Sequence, residues 1–204
     1  MAIADRRERE RAQRHDRIVA AARTLAEAEG WDAVTTRRLA DSIEYSQPVL
    51  YSHFQNRDAI VAAVAVEGFA ELAASLQDAT TDTPSPNDAL QSVARAYVAF
   101  AISNPALYDA MFTLATLPFG QPERPAAMRD GFAALRQTVA PFAGDRDVDI
   151  LTQLTWSALH GLAVLTRTGR LSDGNDEARL SMLTENLTGS APDRQPRRRP
   201  IKKA

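Results

Sequence analysis

The segment EYSQPVLYSHF, residues 44–54, concentrates polar and aromatic side chains on what should be a short helix. Leu50 and Phe54 are four residues apart, so they share one helix face and can anchor the segment from behind. The opposite face then carries Gln47 and Tyr51, which offer hydrogen-bond donors and acceptors and no carboxylate. A face of this kind suits a groove lined by phosphate oxygens and base edges.

Two helices N-terminal to this segment must hold it in place. The run RHDRIVAAARTLAEAEG, residues 14–30, repeats apolar residues at three- and four-residue spacing, which is typical of an amphipathic helix. A second, short helix follows within residues 32–43, with Thr35 or Thr36 placed to cap its first turn. About four residues, SIEY, separate it from the third helix, for which Ser46 is the N-cap candidate. These spacings predict a helix-turn-helix.

The rest of the chain also predicts helices, because alanine, leucine and arginine dominate and no strand-type alternation persists. A fourth helix opens at Asn56 and bridges to five further helices. We therefore predict an all-α fold of about nine helices, with a three-helix head and a helical bundle as body. The predicted divisions are a head over residues 1–58, including an N-terminal arm over 1–13, a body over 59–189, and a disordered basic tail over 190–204.

Charge is distributed unevenly along the chain. Residues 1–60 carry 10 Lys and Arg and 10 Asp and Glu, residues 61–190 carry 8 against 15, and residues 191–204 carry 6 against 1. A neutral-to-basic head on an acidic body suits a protein that presents only its head to phosphate. Ordinary variation of surface charge explains the same pattern, so charge alone favours neither interpretation.

Composition argues against several other functions. The chain has no cysteine, and His15, His53 and His160 lie far apart, so we expect neither a metal site nor a cofactor. No nucleophile–base string, phosphate loop or carboxylate pair indicates an enzyme. The N-terminal residues lack an apolar run of signal-peptide type, and no stretch approaches the roughly 18 uncharged apolar residues of a membrane span. We therefore expect a cytoplasmic protein that does not enter a membrane.

The stretch VTTRRLADSIEYSQPVLYSHFQNRDAIVAAV, residues 34–64, resembles the DNA-binding region of the TetR family of transcriptional regulators. The resemblance covers about residues 14–66 and includes the Thr-Thr-Arg opening of the second helix and the Leu-Tyr-x-His-Phe end of the third. The chain departs from the family at Glu44, where glycine is common in the turn. A non-glycine residue at positive φ costs roughly 1 kcal/mol or more, so either the turn differs or the strain is tolerated.

The resemblance implies that the third helix enters the major groove of double-stranded DNA. Gln47 would then read adenine through a bidentate pair, while Pro48 and Val49 would contact a thymine methyl group. The residues expected at the DNA are Thr35, Thr36, Arg37, Ser46, Gln47, Pro48, Val49, Tyr51, Ser52, His53 and Arg57. Among these, Tyr51, His53, Thr36 and Arg37 resemble the phosphate contacts of the family. Arg57 would hold the DNA backbone beside the N-terminus of the fourth helix.

Purely structural roles are alternatives for some of these residues. Tyr51 can serve only to pack the third helix, and His53 can cap that helix without reaching phosphate. The N-terminal arm can enter a minor groove, but its interleaved glutamates favour a solvated, partly helical arm. The basic tail either adds non-specific DNA affinity through counterion release or only keeps the protein soluble.

The last two helices are the candidates for a homodimer interface. The eighth helix, within residues 148–169, carries more apolar surface than one core contact needs. Its Trp156-x-x-x-His160-Gly161 string resembles a carboxy-terminal subtype of TetR-like regulators. Trp156 and His160 can line an effector pocket. The favoured alternative is that His160 is a hydrogen-bonded core histidine and that Gly161 allows close packing at the dimer interface.

A pocket for an effector is expected among helices four to seven. Few charges lie on the helix faces concerned, which favours a small, mostly apolar molecule. The candidate lining residues are Phe69, Tyr97, Phe100, Tyr108, Met111, Phe112, Phe132, Trp156 and His160, although each is more often plain core than ligand contact.

We therefore predict a homodimeric transcriptional regulator, a repressor that its effector releases from a pseudo-palindromic operator. The alternatives are a DNA-binding regulator that responds to no ligand, and a helical protein–protein adaptor that retains the helix-turn-helix as a fold element.

Overall fold

The structure, a computed structural model, describes residues 2–189, and over this range it is helical without strands. The nine α-helices are α1 Ala2–Glu29, α2 Thr36–Ser42, α3 Gln47–His53, α4 Arg57–Asp78, α5 Pro86–Ser103, α6 Pro105–Asp109, α7 Ala126–Val139, α8 Val148–Arg167 and α9 Asp176–Thr188. Short 3₁₀ turns span Trp31–Ala33 and Ala140–Phe142, and a π-helical turn spans Ala110–Leu114. The predicted all-α fold is confirmed. The predicted disordered tail, residues 190–204, lies outside the described residues.

The N-terminal arm is not a separate element over the part that the structure describes. Residues 2–13 are the first turns of α1, which continues without a break to Glu29. Ion pairs at i,i+4 spacing, such as Arg6 with Glu10 and Arg14 with Glu10, support this exposed stretch. The interleaved acidic and basic residues thus extend the helix, in agreement with the solvated helical alternative.

The helix-turn-helix forms around a small apolar core. Ile18 of α1, Leu39 of α2 and Leu50 of α3 are all buried, and Phe54 closes the core after α3. The Thr35 side chain caps α2 by accepting a hydrogen bond from the Arg38 main-chain N–H at 3.2 Å. α2 and α3 are therefore fixed relative to α1 by packing as well as by the turn.

Glu44 occupies the turn between α2 and α3 at a φ of 57°. The turn therefore has the left-handed backbone conformation for which the family commonly uses glycine. The chain tolerates the strain of a side chain at this position.

The body surrounds α4, which begins directly after the helix-turn-helix. The Asn56 side chain caps α4 by accepting from the Ala59 N–H at 2.9 Å, and an apolar stripe that includes Val64, Phe69 and Leu76 is buried. α4 packs against α1, α5, α6 and α7. Helices α8 and α9 complete the bundle on α5, and α8 also contacts α7. Because α4 contacts both the head and the body, its position links them.

Two helices, α4 and α8, are long and apolar enough to cross a membrane by length and composition alone. This corrects the expectation that no segment approaches such a length. For α4, packing accounts for the apolar character, since one stripe of the helix is core. α8 is less buried, and its remaining apolar surface requires a separate explanation.

Candidate nucleic-acid interface and internal cavity

The outward face of α3 is accessible to a nucleic acid. Gln47, Pro48 and Ser52 are exposed, and the Tyr51 ring is 53% exposed. Leu50 points into the core with 1% exposure. Ser46, which precedes the helix, is exposed without capping it through its side chain, and Val49 is half-buried. The face predicted from spacing is therefore free, and no carboxylate lies on it between residues 46 and 53.

Helix α2 adds polar groups beside this face. The Thr36 hydroxyl lies 3.4 Å from the Tyr51 hydroxyl, so α2 and α3 present their oxygens together. Arg37 is exposed, and its guanidinium has no hydrogen-bond or ion-pair partner within residues 2–189. The neighbouring Arg38 instead donates two hydrogen bonds to the Glu29 carboxylate, at 2.9 and 2.6 Å. Of these two arginines, Arg37 is the one available to phosphate.

His53 lies at the end of α3 among positive charges from α1. Partial burial, and then the charges of Arg11, His15 and Arg14, lower the pKa of His53. Arg11 and Arg14 thus stand near the carboxyl end of α3. Their net effect at His53 is positive, although Arg14 also pairs with Glu10. The sequence did not predict this positive region, because acidic and basic residues alternate along the N-terminal stretch. Such a region suits a phosphate oxygen.

Arg57 is half-buried at the first residue of α4, and its guanidinium contacts the turn that precedes α2. Its Nε donates to the Val34 carbonyl at 3.1 Å, and its Nη2 donates to the Trp31 carbonyl at 2.6 Å. These bonds tie the 3₁₀ turn to the first turn of α4. Two of the three guanidinium nitrogens therefore donate to main-chain carbonyls, and the phosphate contact of Arg57 stays a prediction.

A cavity of about 650 Å³ lies in the body. Its lining comes from α4, α5, the π-helical turn, the loop before α7, α7 and α8. The eighth helix thus contributes to the wall, as the candidate residue Trp156 implied, beside the predicted helices four to seven. Of the predicted residues, the cavity is lined by Phe69, Tyr97, Phe112, Phe132 and Trp156. The additional lining residues are Leu72, Leu76, Phe119, Gly120, Arg124, Met128, Gly131, Leu135, Asp149, Gln153 and Ser157.

Four predicted residues do not line this cavity. Phe100 and Met111 are buried in the core, and Tyr108 is buried with 1% exposure. His160 is half-buried one turn beyond Trp156, and it faces Tyr108. Aromatic residues of the cavity wall cannot be separated by pattern from aromatic residues of the core, because both recur at helical spacing. Phe119 was missed for the opposite reason, since it lies in a proline-rich loop without periodicity.

A chain of hydrogen bonds connects the cavity wall to the core. Trp156 donates from Nε1 to the Tyr97 hydroxyl at 2.9 Å. The Tyr97 and Tyr108 hydroxyls are 3.1 Å apart, and the Tyr108 hydroxyl lies 2.6 Å from Nδ1 of His160. A neutral His160 that accepts at Nδ1 satisfies every member of the chain. The favoured interpretation of His160 as a hydrogen-bonded histidine thus fits the geometry.

Burial sets the protonation of this network. It raises the pKa of Tyr97 to about 12 and also raises the pKa of Tyr108. Burial, and then the positive charge of Arg167, lower the pKa of His160. The network is therefore uncharged near neutral pH.

An apolar face remains exposed on α8 and α9. Ile150 is 57% exposed, Leu154 is 61% exposed, and Met182 of α9 is 66% exposed, while Leu165 lies further along α8. Gly161 lies between these positions in sequence, and a Cβ placed there would meet no atom within 4 Å. Exposed apolar side chains on neighbouring turns of one helix, such as Ile150 and Leu154, are typical of a protein–protein interface.

Comparison with known proteins relates both halves of the chain to one family. The sequence model described as bacterial regulatory proteins of the tetR family matches residues 18–64. The model described as tetracyclin repressor-like, C-terminal domain, matches residues 90–187. The chain is also 30% identical over 162 residues to an uncharacterized HTH-type transcriptional regulator of Mycobacterium tuberculosis, covering 79% of this chain and 73% of that protein.

Solved structures share the fold at lower identity. A protein of unknown function from Rhodococcus sp. RHA1 matches with a TM-score of 0.72 and 22% identity, covering 85% of this chain and 92% of that one. RolR in complex with resorcinol matches with a TM-score of 0.63 and 18% identity, covering 90% of this chain and 97% of that one.

Proposed function

Because this chain belongs to the TetR family of DNA-binding transcriptional regulators, we propose that it is a homodimeric repressor released from its operator by a small molecule. Residues 1–58 form the DNA-binding unit in this proposal, and residues 59–189 form the unit for dimerisation and effector binding. The observation that carries it is the free outward face of α3, with Gln47 and Tyr51 exposed over a buried Leu50.

In the proposed complex, α3 lies in the major groove. Gln47 reads a base edge, Pro48 and Val49 offer apolar contacts, and Ser46 and Ser52 add hydroxyl groups. Phosphate oxygens are held by side chains from α2 and α3 and, through α1, by the positive region beside His53. These phosphate contacts are Thr35, Thr36, Arg37, Tyr51, His53, Arg11 and Arg14. Arg57 supports the interface indirectly, because it fixes the turn that precedes α2.

A dimer through α8 and α9 supplies the second half of the DNA interface. One helix-turn-helix reads few base pairs, so two heads must meet successive major grooves about 34–36 Å apart. In the proposed dimer, the exposed apolar residues Ile150, Leu154 and Met182 meet their own copies across a two-fold axis, which removes them from water. The symmetry of the protein then requires a pseudo-palindromic operator.

The cavity is the proposed effector site. Its volume lies within the range of about 300–1,000 Å³ that is usual for small-molecule sites, and its wall combines aromatic side chains with leucines and a methionine. RolR, which shares the fold, has been solved with resorcinol, a small aromatic molecule. That structure supports the proposal that this chain also takes a small, mostly apolar effector.

Contacts between α6 and the head offer a path from the effector to DNA. The Glu27 carboxylate of α1 accepts hydrogen bonds from the main-chain N–H groups of Ala106 and Leu107, at 3.1 and 2.9 Å. α6 continues into the π-helical turn, where Phe112 lines the cavity. An effector that displaces Phe112 therefore shifts the helix that α1 holds, and α4 packs against the same turn. Moving the population from 1:99 to 99:1 requires about 5.5 kcal/mol of differential effector binding.

Selection of bound duplexes from a random pool tests the DNA-binding part of this proposal. We expect an enriched pseudo-palindrome whose half-sites are one helical turn apart, with affinity that falls as salt rises. Enrichment of no sequence, or of a single half-site bound by a monomer, would contradict it. An adaptor that kept the head only as a fold element would show no salt-dependent duplex binding.

A further inference from the structure

Two charged side chains line the cavity, and they differ in how they are paired. Asp149 accepts a hydrogen bond from Nε of Arg136 at 2.6 Å, so its negative charge is compensated. The Arg124 guanidinium has no hydrogen-bond or ion-pair partner within residues 2–189. The cavity therefore contains one uncompensated charge, and that charge is positive.

Arg124 is half-buried at the edge of an apolar space. The wall beside it contains Phe119 and Trp156, whose rings lie nearly parallel at 14° with centroids 6.4 Å apart. Partial removal from water weakens the hydration of the guanidinium and strengthens its attraction to an opposite charge. A planar guanidinium also matches the two oxygens of a carboxylate, which can accept two hydrogen bonds at once.

A second polar group points to the same chemistry. Gln153 of α8 lines the cavity, and its side-chain amide has no hydrogen-bond partner among the residues that the structure describes. An amide N–H can donate to a ligand oxygen that Arg124 leaves unpaired. The tyrosine hydroxyl at the wall, that of Tyr97, is already engaged by Trp156 and Tyr108. Among the lining residues, half-buried Arg124 and exposed Gln153 thus keep side-chain donors without a partner in the part of the chain that the structure describes.

We infer that the cavity takes an apolar carboxylic acid, whose carboxylate pairs with Arg124 and whose body lies against the aromatic wall. This inference rests on the proposed function, because it specifies the chemical class of the effector in the same cavity. Arg124 separates this class from neutral and cationic molecules of the same size. The aromatic wall accommodates either a flat aromatic body or an acyl chain.

Calorimetric titration of the full chain with two matched pairs of molecules tests the inference. One pair is 2-naphthoate with 2-naphthalenemethanol, and the other is octanoate with 1-octanol. We expect at least one carboxylate to bind tenfold or more tightly than its alcohol. In Arg124→Gln this preference should fall to about one, with the affinity for the alcohol unchanged. Arg170→Gln, which removes an exposed arginine outside the cavity, is the matched control and should retain the preference.

A third variant locates the binding. Phe119→Ala should weaken both members of the preferred pair, because both bodies contact the same wall. Equal affinity of acid and alcohol in the unaltered chain, no binding of either acid, or a preference that survives in Arg124→Gln would overturn the inference. Acid binding that is unaffected by Phe119→Ala would place the acid elsewhere and would also overturn it.

The outcomes separate this inference from the proposed function. In one outcome the alcohols bind and Phe119→Ala weakens that binding, while no preference for acids exists. The cavity then remains the effector site, and only the carboxylic acid class is wrong. Selection of duplexes needs no effector, so its result tests operator binding independently of the acids.

Discussion

The indole nitrogen of Trp31 donates a hydrogen bond to the carbonyl oxygen of Ala106 at 2.7 Å, and this contact joins the head of the protein to α6 of its body. Trp31 is buried in the turn between α1 and α2, and Arg57 holds the carbonyl of the same residue. One residue therefore contacts α6 through its side chain and α4 through its backbone. Head and body are expected to unfold together because of this connection.

Trp31→Phe should separate the unfolding of the head from that of the body. The change removes one hydrogen bond, worth about 1 kcal/mol, and part of a buried ring. Trp156 is then the remaining tryptophan, so its fluorescence reports on the body while far-ultraviolet circular dichroism reports on all helices. We expect the two denaturation curves to diverge in Trp31→Phe and to coincide in the unaltered chain. Coincident curves in the variant would show that the contact does not couple the two units.

Gly68→Ala should disturb the packing of α4 against α6 and the π-helical turn. A Cβ at Gly68 would lie 2.7 Å from Sδ of Met111 and 2.8 Å from Cδ1 of Leu107, so these side chains must move. Gly131→Ala is the matched control in α7, since a Cβ there meets nothing nearer than 4.0 Å. Alanine favours both helices by about 1 kcal/mol, but overpacking costs about 1–3 kcal/mol at Gly68 only. Denaturant unfolding should show that Gly68→Ala is less stable than Gly131→Ala by about 1–3 kcal/mol. Equal stabilities would refute the close packing of Gly68 against Met111 and Leu107.

Gln47→Ala and Tyr51→Phe should weaken DNA binding in different ways. Loss of Gln47 should reduce discrimination at one base pair of each half-site by about 1–3 kcal/mol. Loss of the Tyr51 hydroxyl should weaken binding to all duplexes by about 1 kcal/mol, because a phosphate contact carries no sequence information. Gel-shift titrations against the selected operator and its single-base variants distinguish the two. A Gln47→Ala protein with unchanged base preference would remove Gln47 from base recognition.

Leu154→Asp should dissociate the dimer without unfolding the protomer. The side chain is 61% exposed in the protomer, so the change costs little there, whereas a symmetric interface loses two leucines and gains two carboxylates. Burial of a leucine contributes about 1.5–3 kcal/mol, so the dissociation constant should rise by at least a hundredfold. Sedimentation over a range of concentrations measures it. Ile102→Asp, at an exposed position of α5, is the control, and a dimeric Leu154→Asp protein would place the interface elsewhere.

The stability of the protein should fall with pH below about 6.5, partly through His160. The pKa of His160 is lowered in the folded protein, so in this pH range the unfolded chain binds the proton more readily. By linkage the free energy of unfolding then decreases as pH falls, by at most about 1.4 kcal/mol per pH unit for one group, and is unaffected above the unfolded pKa.

His160→Gln tests this dependence, because its amide oxygen can still accept from Tyr108 while the titrating group is removed. Urea unfolding at pH 7.5 and at pH 5.5 should show a smaller loss of stability in the variant than in the unaltered chain. His53→Gln is an informative companion, since the pKa of His53 is lowered as well. An unchanged pH dependence in His160→Gln would show that the proton is taken up elsewhere.

Local patterns were sufficient to predict the helices and the exposed side of α3. Thr35 and Asn56 cap helices within a few residues of themselves, and Leu50 and Phe54 define the buried side by their spacing alone. Long-range contacts were not predictable in this way. Trp31 meets Ala106 across 75 residues of sequence, and no property of either residue indicates the other.

The same limit explains why the surroundings of Arg57 and Arg124 were not predicted. Arg57 has the charge of a phosphate ligand, but the turn at Trp31 and Val34 offers it carbonyl oxygens that only the folded chain brings near. Arg124 lies in a loop whose proline content predicts irregular backbone and says nothing about a cavity. A side chain that depends on distant partners for its environment cannot be assigned from its neighbours in sequence.

In the proposed mechanism, the unbroken helix α1 connects the effector cavity to the operator. Near the carboxyl end of α1, Glu27 accepts a hydrogen bond from α6. Arg11 lies beside α3, some sixteen residues or about 24 Å from Glu27 along the axis of α1. A tilt of roughly 5° about a pivot near Glu27 would displace Arg11 by about 2 Å, which is more than a hydrogen bond to phosphate can follow. A small displacement of α6 can thus become a larger displacement of Arg11. A ligand that moves its cavity wall only slightly can therefore still release the protein from DNA.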